Sequence, residues 1–147
     1  MKRSSKILGL LIGLGLLLAL SGCRHPPDEV QVRDAVAAMT KAAQGGAAGD
    51  LVAPLSEDFD GNGGELDRST LGNLVRVAAL RGEHVGVTVG PIAIEHRGER
   101  MLATFTLTLR SGGQLWPDQL GIYRVESAWR REGGRWRCYS ASWKRSL

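Results

Sequence analysis

The chain has 147 residues, 43% of them hydrophobic, and a formal net charge of +4. Three of the positive charges, Lys2, Arg3 and Lys6, lie in the first six residues, so the remainder is close to neutral and gives no polycationic surface for nucleic acid. Two cysteines, Cys23 and Cys138, cannot supply a disulfide framework, and the length suits one small domain.

The basic start is followed by an apolar run from Ile7 to Leu20 and then by Leu20-Ser21-Gly22-Cys23. A charged start, a short apolar stretch and small residues at the cut define a secretory signal. As a helix this run spans about 20 Å, short of a hydrocarbon core of about 30 Å. Gly9, Gly13 and Gly15 weaken it further as a permanent span. The segment resembles the signal peptide and lipobox of bacterial lipoproteins. That resemblance implies cleavage before Cys23, with acyl chains such as palmitate on its sulfur and on its new amino group. Several chains hold firmly, since each buried methylene contributes about 0.8 kcal/mol. Residues 1–22 are then the signal peptide and 23–27 a lipidated tether stiffened by Pro26-Pro27. Arg24 follows Cys23 where an inner-membrane retention signal has Asp. The expected location is therefore the outer membrane, facing the periplasm.

Asp28 and Glu29 place negative charge at a helix start. Val32, Ala35, Val36, Met39, Ala42 and Ala43 form one apolar stripe at helical spacing, and Gly45-Gly46 ends it. Asp50 is expected to cap a short second helix running through Leu55. Ser56 to Glu65 reads as an acidic, glycine-rich loop. Asp67 or Ser69 then caps a third helix with an apolar face of Leu71, Leu74, Val75 and Ala78, stopped by Gly82.

Beyond Gly82 the period changes to two. Val85, Val87 and Val89 alternate as a strand, Gly90-Pro91 breaks it, and Ile92 and Ile94 begin another. Ala103, Phe105, Leu107 and Leu109 alternate with threonines. Ser111-Gly112-Gly113 turns the chain, and Leu115-Trp116-Pro117 is an apolar loop expected at a pocket mouth or a dimer face. Leu120 to Arg131 and Trp136 to Trp143 flank the hairpin signal Glu132-Gly133-Gly134-Arg135. Helices first and a meander afterwards give an α+β class, helices packed on an antiparallel sheet.

Ala47-Gly49-Asp50-Leu51, Leu55-Ser56-Asp58-Phe59 and the closing run from Tyr123 through Trp129, Trp136 and Trp143 carry a resemblance to the NTF2-like superfamily, with its SnoaL-like and ketosteroid-isomerase-like members. It covers nearly all of Asp28 to Trp143, within an expected single domain of residues 28–147. It implies a cone in which a strongly curved antiparallel sheet wraps N-terminal helices around a pocket, and it leaves a homodimer open. Phe105, Tyr123, Val125, Trp129 and Tyr139 are the expected core or pocket lining. The family's enzymes need an acid facing the pocket. Among Glu95, Glu99, Asp118, Glu126 and Glu132 no such set is evident, so catalytic residues are assigned to none.

Asp58-x-Asp60-x-Asn62-Gly63 matches the first half of a calcium loop. The alternative is an acidic turn between two helices. Ser69 stands where a calcium loop needs its bidentate Glu, which favours the turn. His25, His84 and His96 lack metal-ligand spacing, and Cys138 reads as a buried strand residue. Trp129, Arg130, Arg131, Arg135, Trp136 and Arg137 read as a hairpin with Trp inward and Arg solvated. The acidic stretch from Asp28 to Asp67 is expected to pair internally with the basic remainder. The functional expectation is a lipid-anchored envelope protein whose domain binds a small apolar ligand or an envelope protein without catalysis. The alternatives are a SnoaL or ketosteroid-isomerase-type enzyme and a structural component of an envelope assembly.

Overall fold

The computed structural model describes residues 26–111 and 120–146, without the side chain of Ser111. The leader, Cys23 and Leu115-Trp116-Pro117 lie outside the described residues. Helix α1 (Asp28–Gly45) buries Val32, Val36 and Ala42 on the expected stripe. Gly46 ends it with φ 68°, and Ala47 N–H donates to the Ala42 carbonyl at 2.9 Å. That left-handed closure satisfies an end carbonyl that the helix cannot.

Helix α2 (Ala48–Val52) is shorter than expected and has no side-chain cap. Asp50 lies inside it, not at its start. After α2 the chain enters β1 (Leu55–Gly61), where an acidic loop was expected. Leu55, Ser56, Phe59 and Gly61 are buried, and the irregular spacing reflects a register shift between Leu55 and Asp60. The bulge hides the period of two from the sequence. A turn with Asn62 at φ 52° leads into β2 (Leu66–Asp67). Helix α3 (Arg68–Leu80) follows directly. Asp67 caps it, its Oδ1 accepting from Thr70 N–H at 2.6 Å. That backbone hydrogen bond holds the Asp67 carboxyl below its ordinary pKa.

The remaining strands are β3 (Val85–Val89), β4 (Ala93–Arg97), β5 (Arg100–Ser111), β6 (Leu120–Glu132) and β7 (Arg135–Arg145). Their sheet order is β2-β1-β7-β6-β5-β3, with β4 also on β5. β4 pairs with the first part of β5 and β3 with the last part, so both share one edge of a long strand. The β6–β7 turn has Gly133 at φ 57° and Gly134 at φ 76°, the positive pair that a tight hairpin requires. β1 runs parallel to β7, so the sheet is mixed where an all-antiparallel one was expected. The two strands are far apart in sequence, with β2, α3 and β3 to β6 between them, so no hairpin forces them to run antiparallel.

The main core gathers Val32 and Val36 of α1 with Leu55, Phe59, Met101, Ala103, Trp129, Trp136 and Cys138 of the sheet. A second cluster joins Ala42, Ala48, Leu51 and Val75, locking the three helices together. Across the fold, Asp28 pairs with Arg131, Asp58 with Arg130 at 2.6 Å, and Glu57 with Arg68 at 3.0 Å. The acidic and basic parts of the chain thus meet internally.

Candidate functional site

The helices do not fill the concave side of the sheet. Between them lies a cavity of about 330 Å³. Val36, Met39 and Ala43 of α1 and Leu71, Val75 and Ala78 of α3 form one wall. The sheet supplies Val87, Phe105, Leu107, Tyr123, Val125 and Trp129 on the other. The size lies at the lower end of small-molecule sites, and apolar lining with few polar groups is typical of them.

Phe105, Tyr123 and Trp129 therefore line one space. Phe105 stands opposite Val125 and Leu107 opposite Tyr123, four cavity residues on two neighbouring strands. Trp129 forms the floor. It is 1% exposed, and its Nε1 donates to Ser127 Oγ at 2.9 Å. Ser127 in turn donates to the Ala103 carbonyl at 3.2 Å. Tyr123 lies back over Gly121, where a Cβ would come within 2.6 Å of its ring.

Tyr139 is placed differently from the expectation. It does not line the cavity. Its ring lies against two guanidinium groups, Arg100 at 5.2 Å and Arg130 at 5.0 Å. The cause is a bulge in β7: Ala128 pairs with Ser140 and Trp129 with Cys138, leaving Tyr139 as the extra residue. Counting inward positions back from Trp143 puts Tyr139 inside. The bulge breaks that phase, and Trp136 and Cys138 take the inward positions instead.

The three members of the acidic motif have local partners. Asp58 binds Arg130, Asp60 Oδ1 accepts from Gly64 N–H at 2.5 Å, and Asn62 bridges Glu65 at 3.1 Å and Trp143 N–H at 2.9 Å. Among the described residues, no three His, Cys, Asp or Glu side chains gather as a metal site. Beside this hairpin, Ser56 donates to Glu132 and Arg130 binds both Asp58 and Glu132. The Ser56 hydroxyl, then Arg130, hold the Glu132 carboxyl below its ordinary range. Trp129 and Trp136 are buried as expected, whereas Arg130 and Arg131, expected to be solvated, are part-exposed and take acidic partners.

Cys138 lines the cavity, and burial pushes its thiol up to about 12. A thiol so raised is neutral in the fold at pH 8. Its alkylation by iodoacetamide there should run about a thousand-fold slower than that of a free cysteine. Labelling at the free rate in folded protein would contradict this environment. The unfolded thiol ionises first, so this contribution to stability is complete below about pH 8.5 and declines as pH rises toward 12.

The one charged residue of the lining was not anticipated. Glu83 lines the cavity, and its Oε2 is buried without a hydrogen-bond partner among the described residues. The signal was present: Glu83 is in phase with Val85, Val87 and Val89, all three of which also line the cavity. Extending the alternation back one step from Val85, across His84, reaches it.

Neither a family model nor a curated protein matches the chain. Solved structures do. An NTF2-like protein with a cystatin-like fold from Novosphingobium aromaticivorans superposes with a TM-score of 0.66 at 18% identity, covering 90% of this chain and 88% of that one. An NTF2-like protein from Cytophaga hutchinsonii gives 0.64 at 16%, covering 82% and 99%. Bd1075 of Bdellovibrio bacteriovorus gives 0.64 at 9%, covering 78% of this chain, which spans only 40% of that longer protein. At these identities the likeness is one of architecture: the chain has the NTF2-like fold, an α+β cone whose curved sheet and helices enclose an apolar cavity.

Proposed function

We propose that this is a lipid-anchored envelope protein whose NTF2-like domain binds a small, largely apolar ligand in the cavity between sheet and helices. The observation that carries the binding role is the cavity itself: about 330 Å³ left open beside a well-packed core. Packed interiors leave few voids larger than a water molecule, so a space of this size needs an occupant or a reason. Native mass spectra of the protein, purified gently from the envelope, test it. Extra mass that leaves on collisional activation is the expected result, and bare protein across several preparations would overturn the reading.

The anchor rests on Leu20-Ser21-Gly22-Cys23 and its basic, apolar leader. Cells fed labelled palmitate should incorporate label into the wild-type chain. Cys23→Ser should abolish incorporation and release the protein from the membrane fraction. Label retained by Cys23→Ser would remove the lipoprotein assignment.

A second reading, an enzyme of the SnoaL or ketosteroid-isomerase type, is favoured by one observation: an acid, Glu83, does line the cavity. It predicts that the expelled mass changes with incubation time, and that Glu83→Gln stops the change. A constant mass would leave the binding role alone.

A further inference from the structure

We infer that Glu83 selects the ligand: the molecule that fits carries a hydroxyl or protonated amine at one end of an apolar body, and Glu83 receives that donor. The inference rests on the cavity being a ligand site and adds the chemistry of what enters it.

Among the polar groups of the lining, most are already spent. Thr40 Oγ1 donates to the Val36 carbonyl at 2.9 Å. Ser127 donates to one partner and accepts from another. The Cys138 thiol donates to the Ser140 carbonyl at 3.3 Å. Tyr123 has a hydroxyl, but a hydroxyl both donates and accepts, so it does not discriminate. Glu83 does. Its Oε2 is buried and has no partner among the described residues. A carboxylate oxygen shut away from water without a donor is costly.

Three consequences follow for ligands. A donor brought from the cavity to the Glu83 carboxylate gives this side chain the partner it lacks. A hydrocarbon of the same shape leaves it missing. An anion adds repulsion. A site with a buried unpaired acceptor rejects the analogue that lacks the donor more sharply than a purely apolar pocket rejects a change of one methylene. The volume sets the body. An apolar cavity of about 150 Å³ holds benzene, so about twice that volume suits a fused bicyclic or an equivalent aliphatic body.

The test uses four matched probes: naphthylmethylamine, naphthylmethanol, methylnaphthalene and naphthoate. Each is titrated by calorimetry against the full chain, expressed with its leader and held in an amphipathic polymer, with protein-free polymer as the blank. The expected order is amine, alcohol, hydrocarbon, carboxylate, with the amine about ten-fold or more tighter than the hydrocarbon. Glu83→Gln should erase the advantage of the amine over the alcohol, and Glu83→Leu should favour the hydrocarbon. Equal affinities in the wild type, or an order unchanged in Glu83→Gln, would overturn the role of Glu83 while leaving the cavity a binding site. Failure of all four, methylnaphthalene included, would overturn the cavity reading and this inference with it. Should Glu83→Leu fail to fold by circular dichroism, the wild-type series and Glu83→Gln still decide.

Discussion

Trp129→Ala should cost about 3–5 kcal/mol of stability, read as a lowered urea midpoint at unchanged slope. A small domain has only about 5–15 kcal/mol in all, so the variant sits near the edge of folding at growth temperature. The expectation comes from position. Trp129 is among the largest fully buried side chains, at 1% exposure, in the cluster that joins α1 to the sheet. Removing it also takes away the indole donor of Ser127 Oγ, which keeps only its bond to the Ala103 carbonyl. Ser127→Ala reverses the problem by leaving the indole N–H unpaired, and should cost about 1–3 kcal/mol by itself. Because the two groups share one hydrogen bond, the double variant should lose less than the sum of the singles. A loss under about 1 kcal/mol for Trp129→Ala would mean that this floor is not packed as described.

Gly46→Ala should destabilise by about 2–4 kcal/mol, combining left-handed strain with overpacking. Gly46 has φ +68°, and a Cβ there would stand 2.8 Å from Ala79 Cβ on α3. Either problem alone is tolerable, but the α1 end and α3 have no room to resolve both. Gly45→Ala is the contrast. Its Cβ meets nothing within 4 Å, and the residue is still helical, so the substitution should be neutral or stabilise by up to about 1 kcal/mol. Opposite signs at adjacent glycines, measured by thermal unfolding, would identify the cap. Equal effects would show that the close approach to Ala79 is relaxed in solution.

Helices α1 and α3, the long strands and the β6–β7 turn were legible because each obeys one period over many residues, or because paired glycines mark the reversal, whereas the five-residue α2 was misplaced. β1 was not. Leu55, Ser56 and Phe59 are buried at uneven spacing, and its acids point outward to Arg68 and Arg130, so the segment reads as a polar loop. The parallel pairing with β7 was equally hidden, because a register between residues as far apart as Leu55 and Cys138 leaves no local trace. In the site, Phe105 followed from alternation and Tyr123 and Trp129 from the resemblance, whereas Tyr139 is displaced by a bulge that alternation cannot register. Glu83 was missed for the opposite reason: the alternation does reach it, but a charged residue just after a helix stop is ordinarily read as solvated.

The placement of β7 has a consequence for how the molecule comes into being. It lies between β1 and β6, so the first strand of the fold has no place to bind, other than the two-residue β2, until Arg135–Arg145 arrives. A chain threaded N-terminus first through a narrow channel can assemble its helical pairs early, and even the β3–β5 ladder, but cannot close. Closing loops of such length is slow compared with local pairing. Until β7 is available, β1 has only β2 beside it, and the sheet is continuous only when Arg135–Arg145 pairs on both of its sides.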